Sequence, residues 1–120
     1  MNSVKLSGRL TADPELKHTA ENIPVCTFLL AVDRPTKHRR KDKDDAPQRQ
    51  EADFPTCVAW RKDAEFVANY LTKGRKIIVE GAVRTRNYED ADGKTRKVTE
   101  IQVESIEFAD SKPQGGTSNE

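Results

Sequence analysis

One stretch of this chain has the periodicity of a helix, and it falls between the third and fourth of five strand-like segments. From Lys62 to Lys73 the apolar residues Phe66, Val67, Tyr70 and Leu71 recur on one face, Asp63 stands where it can cap the first turn, and Gly74 supplies a left-handed stop. The surrounding segments read as strands. Val4, Leu6 and Leu10 alternate with Lys5, Ser7 and Arg9, and Gly8 within that alternation predicts a bulge or a close backbone approach. After a turn at Thr11-Ala12-Asp13-Pro14, the polar stretch from Glu15 to Asn22 loops or pairs weakly. Val25 to Val32 is a short, nearly continuous apolar run with β-branched and aromatic content, which predicts a strand buried on both faces. Phe54 to Arg61 is a third strand, in which Pro55, lacking an N–H for the ladder, marks an edge or a bulge. Ile77 to Val83 and Ile101 to Phe108 follow the helix, joined by a long hairpin over Arg84 to Thr99 that turns at Asp90-Ala91-Asp92-Gly93.

Three strands, one helix and two strands is the order of the five-stranded oligonucleotide-binding barrel, an all-β fold with one helix, here with a long β-hairpin extension. The 120 residues suit one compact domain, over 1–108, and a tail over 109–120 whose Ser, Gly, Pro, Gln and Asn predict disorder. With 34% of residues hydrophobic and another 34% charged, the core is small, and oligomerisation would bury more apolar surface. Met1-Asn2-Ser3-Val4 offers no basic segment followed by an apolar one, and no apolar run approaches the roughly 20 residues that span a bilayer. A soluble, cytoplasmic chain without a membrane partner is expected.

Catalysis finds no support in the residues. Cys26 and Cys57 lie in apolar runs, with no Cys-x-x-Cys and no His pair, and read as buried thiols in a reducing compartment rather than as a disulfide or metal site. His18 and His38 fall in polar loops without a ligand at metal spacing. The acid pairs Asp13/Glu15 and Asp90/Asp92 sit beside Pro or Gly, where acids usually form turns. There is no phosphate-cradling Gly-rich loop. No enzyme activity, metal or cofactor is expected.

The surface points instead to a binding protein. Net charge is only +1, but between Arg34 and Gln50 seven cations face three anions in a long loop. A charge run alone is usually a solvated loop; a loop this long inside a compact domain is usually functional. Binding a single strand of any sequence needs cations along the backbone path and flat side chains on which bases stack, each stack contributing about 1–3 kcal/mol. Strand parity puts Phe54, Thr56, Val58 and Trp60 on an outward face and Cys57 and Ala59 inside. Arg61 and Lys62 follow Trp60 at the strand end. Tyr88 projects on the hairpin among Arg84, Arg86, Lys94, Arg96 and Lys97. Phe28, Phe66 and Tyr70 read as core, and Phe108 as closing the barrel.

These residues are familiar in combination. Met1-Asn2-x-Val4-x-Leu6-x-Gly8-Arg9-Leu10-Thr11-x-Asp13-Pro14-Glu15-Leu16 resembles the opening of bacterial-type single-stranded DNA-binding proteins, and so do Phe28-x-Leu30-Ala31-Val32-x-Arg34 and Glu51-Ala52-Asp53-Phe54. Cys57-Val58-Ala59-Trp60-Arg61-Lys62-x-Ala64-Glu65, Tyr70-Leu71-x-Lys73-Gly74, Val79-Glu80-Gly81, Arg84-Thr85-Arg86-x-Tyr88 and Val98-Thr99-Glu100 continue the resemblance in register to about Phe108.

The resemblance implies a homotetramer that coats single-stranded DNA in replication, recombination and repair. It puts base stacking on Phe54, Trp60 and Tyr88, in agreement with parity. The candidate phosphate contacts are Arg34, Arg39, Arg40, Lys41, Arg61, Lys62, Lys73, Arg84, Arg86 and Arg96. Three departures matter. Asn22 stands where the family often has Gly, and Asn tolerates the left-handed conformation. Pro35 and Thr36 occupy the neighbourhood where relatives carry another stacker. The chain ends in Gly116-Thr117-Ser118-Asn119-Glu120 rather than the acidic tip ending in Pro-Phe through which relatives recruit replication and repair proteins, as in phage-like or accessory versions with a short tail or in a truncated chain. The alternative is an accessory or scaffold module of a replication complex on the same fold, which would not need Trp60 and Tyr88 beside cations. If the basic loop replaces the missing stacker, neutralising Arg39, Arg40 and Lys41 together lowers both the affinity for single strands and its salt dependence, as measured by titration across a salt series.

Overall fold

The computed structural model describes residues 1–35 and 51–110. The basic-loop candidates Arg39, Arg40 and Lys41, together with Thr36 and the tail from 111 onward, lie outside the described residues. The elements run β1 (Val4–Leu10), β2 (Glu15–His18), β3 (Pro24–Asp33), β4 (Ala52–Asp53), β5 (Thr56–Trp60), α1 (Lys62–Tyr70), β6 (Lys76–Glu89) and β7 (Thr95–Phe108). Five of the strands close on themselves. β1 pairs with β6, β6 with β7, β7 with β5, β5 with β3, and β3 returns to β1. All these pairings are antiparallel except β5 with β7, where Cys57 lies beside Ile101 and Val58 beside Gln102. The closed ring, with its helix between β5 and β6, is the oligonucleotide-binding fold that the element order predicts.

Alternation along each strand fills the ring. Leu10, Cys26, Phe28, Leu30, Cys57, Ala59, Ile77, Val79, Ile101 and Val103 point inward and are buried. The β3 run was expected to be buried on both faces, but it alternates: Cys26, Phe28 and Leu30 are buried, while Thr27 and Leu29 are exposed. A strand of a closed ring has one inner face, so apolar Leu29 remains outside at 41% exposure. Glu15–His18 does pair, as β2 along β3. The expected third strand is shorter than its sequence limits, because Pro55 separates β4 from β5; its carbonyl still accepts a hydrogen bond from Leu30 N–H at 3.2 Å. Cys26 and Cys57 are buried free thiols, and burial pushes Cys57 up to about 12.

The helix departs from expectation in its limits and its face. It ends at Tyr70 rather than Lys73, and the extended Leu71 that follows is buried. Asp63 does not cap it: the N-cap is Arg61, without a side-chain cap, and Asp63 lies within the first turn, where a carboxylate favours the positive end of the dipole. Ala64, Val67 and Leu71 form the inward line. At about 100° per residue, Tyr70 falls roughly a quarter turn off that line, so it is 64% exposed and not core. It rests on Phe66 at 5.3 Å between ring centroids, and Phe66 meets Phe108 at 5.9 Å. Phe108 does not seal the ring: it sits at the rim, 42% exposed, with the Arg75 guanidinium 4.2 Å from its centroid. Arg75 also donates to Asp110 at 2.7 Å. Burial works to raise the Asp110 carboxyl, but hydrogen bonds from Arg75 and from Lys76 N–H hold it below its ordinary value.

Two backbone features set the ring's shape. At Gly8, a Cβ would lie 2.5 Å from the Ala31 carbonyl oxygen, at the point where β1 moves from β6 to β3 as its partner. The expected close approach is therefore real. A bulge between Glu80 and Gly81 shifts the β6–β7 register and increases local twist. Gly8→Ala forces the β1 and β3 backbones apart, so a loss of about 1–3 kcal/mol is expected, read as a lower urea midpoint with an unchanged denaturant slope.

Candidate nucleic-acid interface

β6 and β7 are each 14 residues long, and the ring uses only part of them. Beyond Val83 and before Ile101 the two strands pair only with each other, so the hairpin projects as a two-stranded ribbon. Its turn is closed by hydrogen bonds from Asp90 N–H to the Lys94 carbonyl and from Gly93 N–H to the Asp90 carbonyl, both 3.0 Å, with Gly93 at φ 82°. The Asp90 carboxylate accepts from the N–H groups of Asp92 and Lys94, at 3.0 Å each. At the ribbon's base Asn2 acts as a short strand. Its side-chain N–H donates to the Val83 carbonyl and its side-chain oxygen accepts from Val83 N–H, both at 2.8 Å.

Register assigns the ribbon's faces. Arg84 lies opposite Glu100, Arg86 opposite Val98, and Tyr88 opposite Arg96. Paired residues share a face, so Arg84, Arg86, Tyr88 and Arg96 lie together. The same face continues into the ring through Ala82 and Gln102 to Val58, and along β5 to Trp60. The predicted stackers Tyr88 and Trp60 therefore share one surface. Because β5 runs parallel to β7, the chain before Thr56 lies toward the ribbon and Trp60 away from it. Along the strand direction Trp60 and Tyr88 are separated by roughly 25 Å, enough for a strand to cross several side chains between them.

Exposure follows these positions. Phe54 is 56% exposed and Tyr88 46%, while Trp60 is half-buried. Parity holds for Cys57 and Ala59, which point inward, but Phe54 lies outside the regular strand, and Val58, of the opposite parity, is buried as well. Arg34 is tied to the segment that precedes Phe54: its guanidinium donates to Asp53 at 2.8 Å and lies 3.9 Å from Glu51. The bond to Asp53 holds its charge more firmly. Arg61 and Lys62 are exposed at the junction of β5 and α1. Lys73 is exposed too, but its turn is tied to Asp13 and Leu10 at the end of β1 furthest from the ribbon. That end is remote from Tyr88 and the ribbon arginines.

Sequence reasoning missed the partners of the ribbon cations. Arg86 donates to Glu100 at 3.0 Å and Arg96 to Asp90 at 2.8 Å. The bond from Arg96, with the Lys94 N–H behind it, holds the Asp90 carboxyl below its usual range. Asp90 forms the turn, as its place beside Gly93 predicts, whereas Glu100 carries no local signal; only the register places it among arginines. Among the described residues there is no group of His, Cys, Asp and Glu arranged for a metal, and no helix long and apolar enough to cross a membrane.

Comparison with known proteins bears on this surface. Residues 1–109 match the model of the single-strand binding protein family. Single-stranded DNA-binding protein 3 of Listeria innocua is 52% identical over 99% of this chain and 72% of its own length. The single-stranded DNA-binding protein of Bacillus cereus is 47% identical over 97% of this chain and 64% of its own. Single-stranded DNA-binding protein A of Bacillus subtilis is 44% identical, covering 99% and 65%.

Among the described candidate phosphate ligands, Arg61 alone has a strained backbone, at φ 56° and ψ −125°, a conformation that suits glycine. Such a residue costs of order 1–3 kcal/mol. Arg61→Gly is expected to unfold at a higher denaturant midpoint than Arg61→Ala, although both remove the same cation. Equal midpoints would mean that the junction carries no strain.

Proposed function

The chain belongs to the single-strand binding protein family, and we propose that it binds single-stranded DNA without reading its sequence, coating strands exposed in replication, recombination and repair. The observation that carries this reading is the common face of Trp60, Tyr88, Arg84, Arg86 and Arg96. Bases stack on Phe54, Trp60 and Tyr88, a contact that every base can make. Phosphates meet Arg61 and Lys62 beside Trp60 and the three arginines beside Tyr88, with Arg34 near Phe54. The basic-loop residues Arg39, Arg40 and Lys41 add charge along the path. Lys73 contributes least, since it stands at the other end of β1. The binding domain comprises residues 1–108, works in the cytoplasm as a homotetramer, and performs no chemistry on the DNA.

Trp60 is the only tryptophan, so its emission reports directly on the site. Adding oligo-dT is expected to quench it, and raising salt to weaken the binding, because each phosphate neutralised releases counterions. Affinity is expected to differ modestly among base compositions and to be far weaker for duplex. Unchanged emission with no binding at low salt would exclude the proposal.

A further inference from the structure

The ribbon presents its arginines already engaged. On the face around Tyr88, Arg86 Nε lies 3.0 Å from Glu100 Oε2, with Nη2 3.5 Å from Oε1. Arg96 Nε lies 2.8 Å from Asp90 Oδ2. Glu100 is also directly opposite Arg84 in the ladder, so one carboxylate stands between two arginines. Only Arg84 of the three has no ion pair among the described residues. The pairs are asymmetric: the Arg86 side chain is 58% exposed and that of Glu100 12%, while Arg96 is 55% exposed and Asp90 21%. The guanidinium groups face solvent and the acids sit beneath them.

Resting on the single-strand reading above, we propose that Glu100 and Asp90 are affinity-setting residues, which compete with DNA phosphates for Arg86 and Arg96 and make the ribbon the readily released part of the site. A phosphate reaching Arg86 either displaces Glu100 or binds the outer edge of the guanidinium with a like charge a few ångströms behind it. Both routes weaken the contact, since charges at that range interact appreciably even at high dielectric. An exposed ion pair, by contrast, adds little to the stability of the fold. The acids therefore act mainly on the ligand. A protein that coats single strands must also be cleared from them, and a ribbon of half-neutralised arginines lets one end of the strand peel away while stacking holds the other.

Glu100→Gln tests this, because it keeps the shape and a hydrogen-bond acceptor for Arg86 while removing the charge. In a salt series with oligo-dT, the variant is expected to bind roughly three- to tenfold more tightly at low salt, with a steeper salt dependence and slower dissociation. Asp90→Asn, which retains the acceptor for the turn, should shift in the same direction. Glu21→Gln, an exposed acid in the 19–22 turn, should leave affinity unchanged, which separates a local effect from a change in net charge. Combining Glu100→Gln with Arg86→Ala should forfeit most of the gain. Tighter binding by Glu100→Gln but not Glu21→Gln supports the proposal. Equal or weaker binding by Glu100→Gln, with the unmodified chain binding normally, overturns it alone. If the unmodified chain fails to bind oligo-dT, the single-strand reading falls and this inference falls with it.

Discussion

At Gly8 the backbone of β1 passes so near the Ala31 carbonyl that any side chain would collide with it, and the architecture depends on that approach. Among the described strands, β1 alone pairs with both β6 and β3. Without the transfer at Arg9 and Leu10, the sheet would stay open along two edges and offer unpaired N–H and C=O groups to other chains. Closure lets a chain with few apolar residues enclose a core, because each strand then contributes its whole inner face. Leu10, Leu30 and Ile77, all buried, lie around the junction that Gly8 allows.

Closure also determines where the binding surface can be. Once β6 and β7 have made their ring contacts, the remainder of each strand has only the other strand to pair with, so it must project. An isolated two-stranded ribbon is marginal in water. This one is steadied at its root by the paired hydrogen bonds of Asn2 to Val83 and at its tip by the Asp90 turn. Asp90, which holds the turn, also lowers the ribbon's positive charge by pairing with Arg96, as Glu100 does by pairing with Arg86. Its architecture and its electrostatics are therefore linked, which is why Glu100 and Asp90 bear on binding at all.

Much of the fold could be read from the sequence because alternation and helical spacing are local signals. β1, the helix start and the Asp90 to Gly93 turn follow from neighbouring residues alone. Where prediction failed, a tertiary fact decided. Leu29 is exposed because a ring strand has a single inside, and Tyr70 because Ala64, Val67 and Leu71 already form the inward line. Asp63 lost the capping role to an Arg61 backbone held in a glycine-like conformation. The candidate site was legible in its residue types but not in its pairing. Tyr88 among cations is visible in the sequence, whereas the opposition of Glu100 to Arg84 requires the register, which runs unbroken from Glu89 and Thr95 at the turn back to this pair.

Strand alternation assigns stability and binding to different residues of the same strand. On β5, Cys57 and Ala59 build the core while Trp60 faces outward; on β6, Val79 and Gly81 turn in while Arg84 and Arg86 turn out. Charge on the outer face can then vary without disturbing the core, and a net charge of +1 says little about affinity for a polyanion. What matters is whether each cation is free or paired, and on which face it lies. Arg61 is the exception to this separation. Its side chain lies beside Trp60 at the site, yet its strained backbone starts the helix whose Ala64 and Val67 complete the core. A substitution there acts on both properties together. Elsewhere on the face, the core imposes no cost on tuning the grip.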